Sequence, residues 1–236
     1  MTEAEWLACN DPLQMLDLFG ASRGSRVLHW LRYRRHVPCA SKRKLRLFAA
    51  GCCRLVRDKF NEHQQRIDAA EDFADGVPWP TSGFGQQQRM EAIEDFVGRV
   101  PWPGPGVGPW WIAFDRPDAL WLARFVAEWA ITGEVNKLDL TRAPQRRTAD
   151  REVRVLRDLF GNPFRPVAFA PAWRTSTAVA VASQMYEARD FSAMPILGDA
   201  LQDAGCDSAE VLDHCRDAGA PHVRGCWVVD LVLGRE

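Results

Sequence analysis

Apolar residues recur every three or four positions through most of this chain. Nowhere does a period-two alternation run long enough to describe a sheet. Residues Glu3 to Cys9 form a short helical pattern. Asn10-Asp11-Pro12 then reads as a stop, an N-cap and a proline at the first position of a second helix carrying Leu13, Leu16 and Phe19. After a break from Gly20 to Gly24, Val27 to His36 predicts a third helix, closed by Pro38. The strongest pattern runs from Ser41 to Asp75. Leu45, Phe48, Cys52, Leu55, Val56, Phe60, Ile67, Ala70 and Phe73 step by threes and fours, predicting one long amphipathic helix or two with a kink near Asn61, with Ser41 as N-cap. Farther on, Asp115–Thr132, Ala149–Phe160, Trp173–Ala188, Met194–Ala204, Ser208–Asp217 and His222–Gly234 read as helices, with Glu134–Thr148 a polar connector. The expectation is an all-α fold, an irregular multi-helix bundle.

The middle of the chain carries an internal repeat. Residues 71–85 (EDFADGVPWPTSGFG) and 94–108 (EDFVGRVPWPGPGVG) agree at nine of 15 positions. Proline on both sides of Trp79 and Trp102 forbids helix there and holds the backbone extended. Two copies are too few for a solenoid. Pro101–Pro109 alternates proline and glycine, the pattern of a linker. The domain expectation is therefore an N-terminal helical lobe over 1–100, a Pro/Gly-rich linker over 101–114 and a C-terminal helical lobe over 115–236.

Composition adds exclusions rather than a function. With 236 residues, 47% apolar and 26% charged, the chain is long enough for a sizeable core and is neither disordered nor low in complexity. No apolar run approaches a membrane span, and the first residues lack a secretion pattern. Seven cysteines, an odd number, point to a reducing cytoplasm. The net charge of −1 names no partner.

Several segments are similar to a bacterial protein family that recurs in many copies in large genomes and has no established activity. The resemblance rests on the opening Met1–Met15, the Lys44–Arg54 helix (KLRLFAAGCCR), Leu156–Pro166 (LRDLFGNPFRP) with Trp173, and the C-terminal Pro195–Cys206, His214 and His222–Gly234 (HVRGCWVVDLVLG). It covers about half of the chain, mostly the two ends. Members pass almost directly from the second helix to the KLRLF helix, which marks residues 20–40 as an insertion. A leucine is common in the family after the histidine, which weighs against a role for Cys215.

Four constellations bear on chemistry. Cys206, His214, Cys215, His222 and Cys226 place five zinc-type donors within 21 residues, although their spacing matches no compact zinc knuckle. On a helix starting at His222, Cys226 and Asp230 would follow at i+4 and i+8. That is the order of a cysteine nucleophile, but it puts Cys226 away from the helix N-terminus that would activate it. The bland alternative buries the cysteines in the core, with Arg224 and Asp230 facing water. Third, Arg23 to Lys59 holds twelve basic residues, among them Arg32, Arg34, Arg35, Lys42, Arg43 and Lys44, and one acid, Asp58. That stretch suits a phosphate backbone, but residues 60–100 carry eight acids, and internal neutralisation is the favoured reading. Fourth, Trp79, Trp102, Trp110 and Trp111 suit protein contact if exposed and core if not. Phosphate-loop, dinucleotide, HExxH and nucleophile-elbow motifs are absent. The leading expectation is a non-enzymatic, protein-binding or regulatory module. A zinc-stabilised helical domain comes next and a nucleic-acid contact third, and no membrane partner is expected.

Overall fold

The computed structural model describes residues 1–20, 40–55, 64–78, 118–132 and 141–235. Among these the chain is all-α, with no strand. Ten α-helices follow in order: α1 (Glu3–Ala8), α2 (Pro12–Gly20), α3 (Lys42–Leu55), α4 (Gln64–Ala74), α5 (Ala119–Thr132), α6 (Ala143–Phe160), α7 (Ser176–Ala188), α8 (Met194–Asp203), α9 (Ala209–Arg216) and α10 (Trp227–Leu233), with a 3-10 turn at Pro171–Trp173.

Local chemistry sets the early boundaries. Thr2 and Glu5 form a reciprocal capping box: the Glu5 N–H donates to Thr2 Oγ1 at 3.2 Å, and the Thr2 N–H donates to Glu5 Oε2 at 2.6 Å. Asp11 Oδ1 accepts from the Leu13 N–H at 2.9 Å, and Ser41 Oγ accepts from the Lys44 N–H at 3.2 Å. The Ser41–Asp75 pattern resolves into two helices, α3 and α4. The helix predicted over Val27–His36, like Trp79, Trp102, Trp110, Trp111, Arg32, Arg34, Arg35 and the 101–114 linker, lies outside the described residues.

Two cores organise these helices. In the first, α3 lies centrally and packs against α4, α5 and α6, while α2 lies on α5 and α6. Its buried run Phe48-Ala49-Ala50-Gly51-Cys52-Cys53 is mostly small residues, which lets neighbours approach closely; a Cβ on Gly51 would stand 3.0 Å from Val155 Cγ1. The adjacent cysteines Cys52 and Cys53 are fully buried. In the second core, α7 packs on α8 and α10, and α9 lies on α8 and α10. The change of core falls between Phe160 and Trp173. Helices α5 and α6, placed by sequence in a C-terminal lobe, thus bury their apolar faces with the N-terminal helices.

Charged side chains cross from one core to the other. Arg43 on α3 meets Asp75 at 2.7 Å and Asp230 on α10 at 2.7 Å, and its Nη2 donates to the Tyr186 hydroxyl on α7. The Tyr186 hydroxyl donates to Asp75 Oδ2 at 2.6 Å. Arg224 pairs with Asp72 and Asp75, and Arg189 with Glu71 and Asp72. Burial raises the Tyr186 hydroxyl to about 12, with Arg43 opposing the shift. Burial works against the charge of Asp75 as well, but Tyr186, Arg43 and Arg224 outweigh it and hold that carboxyl below its ordinary value.

Candidate metal centre

Three elements meet at the junction of the two cores and supply four side chains: α6, α9 and the 217–226 turn that joins α9 to α10. Asp158 comes from the last turn of α6, His214 from α9, His222 from the turn after α9, and Cys226 from the position just before α10. Asp158 falls on the inward side of α6, between Val155 and Leu159, and is 2% exposed. The sequence places His222 and Cys226 on one helix, but the structure does not. Gly225 has φ +90°, a left-handed conformation that breaks the helical path, and α10 begins only at Trp227. A Cβ at Gly225 would lie 2.6 Å from Leu47 Cδ1 and 2.9 Å from Leu159 Cδ2, so glycine is required there for space as well. Lys44 fixes the turn from below, its Nζ donating to the carbonyls of Gly225 (2.6 Å) and Leu159 (2.8 Å). Arg224 and Asp230, expected to face water, are buried within the ion network.

The four side chains converge. Asp158 Oδ1 lies 2.9 Å from His222 Nδ1 and 3.1 Å from His214 Nε2, and Cys226 Sγ lies 3.1 Å from the same His214 Nε2. One donor atom from each of the four can be chosen so that all lie within 4.8 Å of one another. Asp158 Oδ2 accepts from the Val223 N–H at 3.0 Å, which orients the carboxylate. The His214 and His222 rings meet edge to face at 4.9 Å, and His214 tilts against Trp227 at 5.2 Å. His222 Nε2 is buried without a hydrogen-bond partner, so the polar engagement of that ring is through Nδ1.

Charge is unevenly favoured in this group. Burial opposes ionisation of Asp158, but hydrogen bonds from His214 and His222 prevail and keep its carboxyl below the ordinary range. Burial pushes the Cys226 thiol well above its usual value; the Asp158 charge adds to the rise, and the N–H groups of Val229 and Val228 oppose it. A bare Cys226 is therefore a thiol and no activated nucleophile, despite its place ahead of a helix. A divalent cation among the four would reverse that preference, displacing the proton and drawing a thiolate to itself.

The donor set suits zinc: two imidazole nitrogens, one thiolate sulfur and one carboxylate oxygen. Metal–ligand bonds of about 2.0–2.3 Å around a tetrahedral ion put ligand atoms roughly 3.3–3.8 Å apart. The contacts of 2.9–3.1 Å would need to open by only a few tenths of an ångström.

Of the five donors singled out by sequence, His214, His222 and Cys226 come together, Cys206 and Cys215 do not, and Asp158 replaces them. Cys215 follows His214 on α9 and turns into the second core, 1% exposed, where it abuts Gly198 of α8. Cys206 is buried in that same core. In the basic segment, Arg43 spends its charge on Asp75 and Asp230, and Lys44 spends its own on Asp230 and two carbonyls. Lys42 is exposed. Arg54 pairs with Asp68 and Glu71, so acidic partners within the chain take up Arg43, Lys44 and Arg54 of the five described cations in this segment. No protein-family profile, curated protein or solved structure matches this chain.

Proposed function

We propose that this protein is a zinc-stabilised helical module in which Asp158, His214, His222 and Cys226 close around one metal ion. The observation that carries this reading is the convergence of four zinc-type donor atoms within 4.8 Å, Asp158 from one stretch of chain and His214, His222 and Cys226 from another. Asp158 belongs to the helix that ends the first core, while His214 and Cys226 belong to elements of the second. An ion there would tie the two cores together and order the 217–226 turn, and its binding free energy would become folding free energy. A reducing compartment would favour such a site, since the described cysteines are all free.

The test is elemental analysis of protein purified without a histidine tag or chelator. About one zinc per chain is expected. Cys226→Ser and Asp158→Asn should lose most of the metal, whereas Cys206→Ala and Cys215→Ala should keep it if they fold by circular dichroism. Folded protein with no zinc, iron or other transition metal, which also takes none up on titration, would end this reading.

A further inference from the structure

We propose that the metal centre is reached from its Arg157 side and takes a small oxyanion, a carboxylate or phosphate group, as an exchangeable fifth ligand beside the four protein donors. This deepens the metal reading and rests on it. A cleft of about 500 Å³ runs along the centre, with Asp158 and His214 on its wall beside Arg154, Arg157 and Asp217. His222 and Cys226 are not part of that wall. Among the four donors it is the partly exposed His214 ring that meets this cleft, while Asp158, His222 and Cys226 lie behind it.

The arginines supply the second observation. Arg157 places Nη2 on the carbonyls of Trp6, Leu7 and Cys9 at 2.9–3.0 Å, while its Nε is buried without a hydrogen-bond partner. No carboxylate pairs with it among the described residues. Arg154 is exposed and enters no ion pair among the described residues. Asp217, the one other acid on the wall, accepts the Gly219 N–H at 2.8 Å within its own turn. Arg157 and His214 also line a neighbouring cavity of about 590 Å³, so they form the partition between the two spaces. A doubly charged cation held by Asp158 and a Cys226 thiolate is already neutralised. Two guanidinium groups beside it then leave a net positive cleft, and their planar forks match the oxygens of a carboxylate or phosphate.

The experiment uses the full chain loaded with cobalt(II) in place of zinc, so that the visible d–d bands report coordination. Inorganic phosphate and acetate are titrated separately. A saturable change in the bands with either anion is expected, and which one acts identifies the class. Arg154→Gln should weaken that binding by about tenfold while leaving cobalt stoichiometry at its original level. Arg157→Lys should weaken it too if the planar fork matters. Cobalt uptake with a four-ligand spectrum indifferent to both anions would overturn the open site and leave the metal reading standing. Anion binding unaltered in both arginine variants would overturn the cleft as the route. Failure to take up cobalt would remove both.

Discussion

Glu152 on α6 is fully buried beside Cys52, and neither of its carboxyl oxygens completes a hydrogen bond. Burial raises its pKa well above the ordinary carboxyl range, with the Cys52 thiol pulling the other way and the charge of Asp11 adding to the rise. The sign of its effect on stability follows. A carboxyl whose folded pKa is raised contributes stability below its unfolded pKa, and that contribution is lost as pH climbs toward the folded value. Glu152→Met, which removes two unpartnered oxygens at similar volume, should raise stability at neutral pH by about 1–3 kcal/mol. In urea titrations its advantage over the parent should widen as the pH moves from about 5 to about 8. An advantage that is constant or shrinks with pH would mean that Glu152 is charged and partnered. The signal was present in the sequence: Glu152 interrupts the stripe of Ala149, Val153, Leu156 and Leu159. Asp158 interrupts the same helix between Val155 and Leu159, but a lone acid in a helix does not name its partners. His214 and His222 are 56 and 64 positions away, and only folding brings them near.

At the scale of elements, hydrophobic spacing was sufficient wherever a cap stood at the right place, as with Asp11 before α2 and Ser41 before α3. It misplaced the last helix because His222, Val223 and Cys226 continue an apolar period that the backbone does not follow. Gly225 was the clue, and its importance comes from contacts with Leu47 and Leu159 that no local pattern contains. Gly225→Ala should therefore cost at least about 2 kcal/mol, from the left-handed backbone together with the clash. Because the turn carries two donors, it should also lower metal occupancy, read by elemental analysis of whatever protein remains folded. A variant as stable as the parent would show that the turn relaxes freely. Helix α6 begins at Ala143, six residues before the predicted start, because Pro144 in its first turn is compatible with helix; within 143–148 only Gln145 is buried, so the stretch lacks the apolar stripe that spacing detects.

For the whole molecule, all-α architecture was legible, since helical period is a local property. The assignment of helices to cores was not, because Pro/Gly-rich sequence marks where a chain is irregular and says nothing of which helices share a core. The two cores meet through α6 and α10 and through a buried set of ion pairs around Arg43, Asp75, Asp230 and Arg224. Removing one member of such a set strands its partners. Arg43→Met should destabilise the protein by about 3 kcal/mol or more, measured by chemical denaturation. Loss of less than about 1 kcal/mol would place Arg43 among the surface pairs that contribute little.

In the proposed site one ion is held by three nitrogen or oxygen donors and a single sulfur. X-ray absorption at the zinc edge, on protein in buffer free of phosphate and carboxylate, tests it most directly. One sulfur at about 2.3 Å and three nitrogen or oxygen atoms at about 2.0–2.2 Å are expected. Two or more sulfurs would bring Cys206 or Cys215 into the shell, and six oxygen-type ligands would describe adventitious surface zinc; either result would contradict the site built by Asp158, His214, His222 and Cys226.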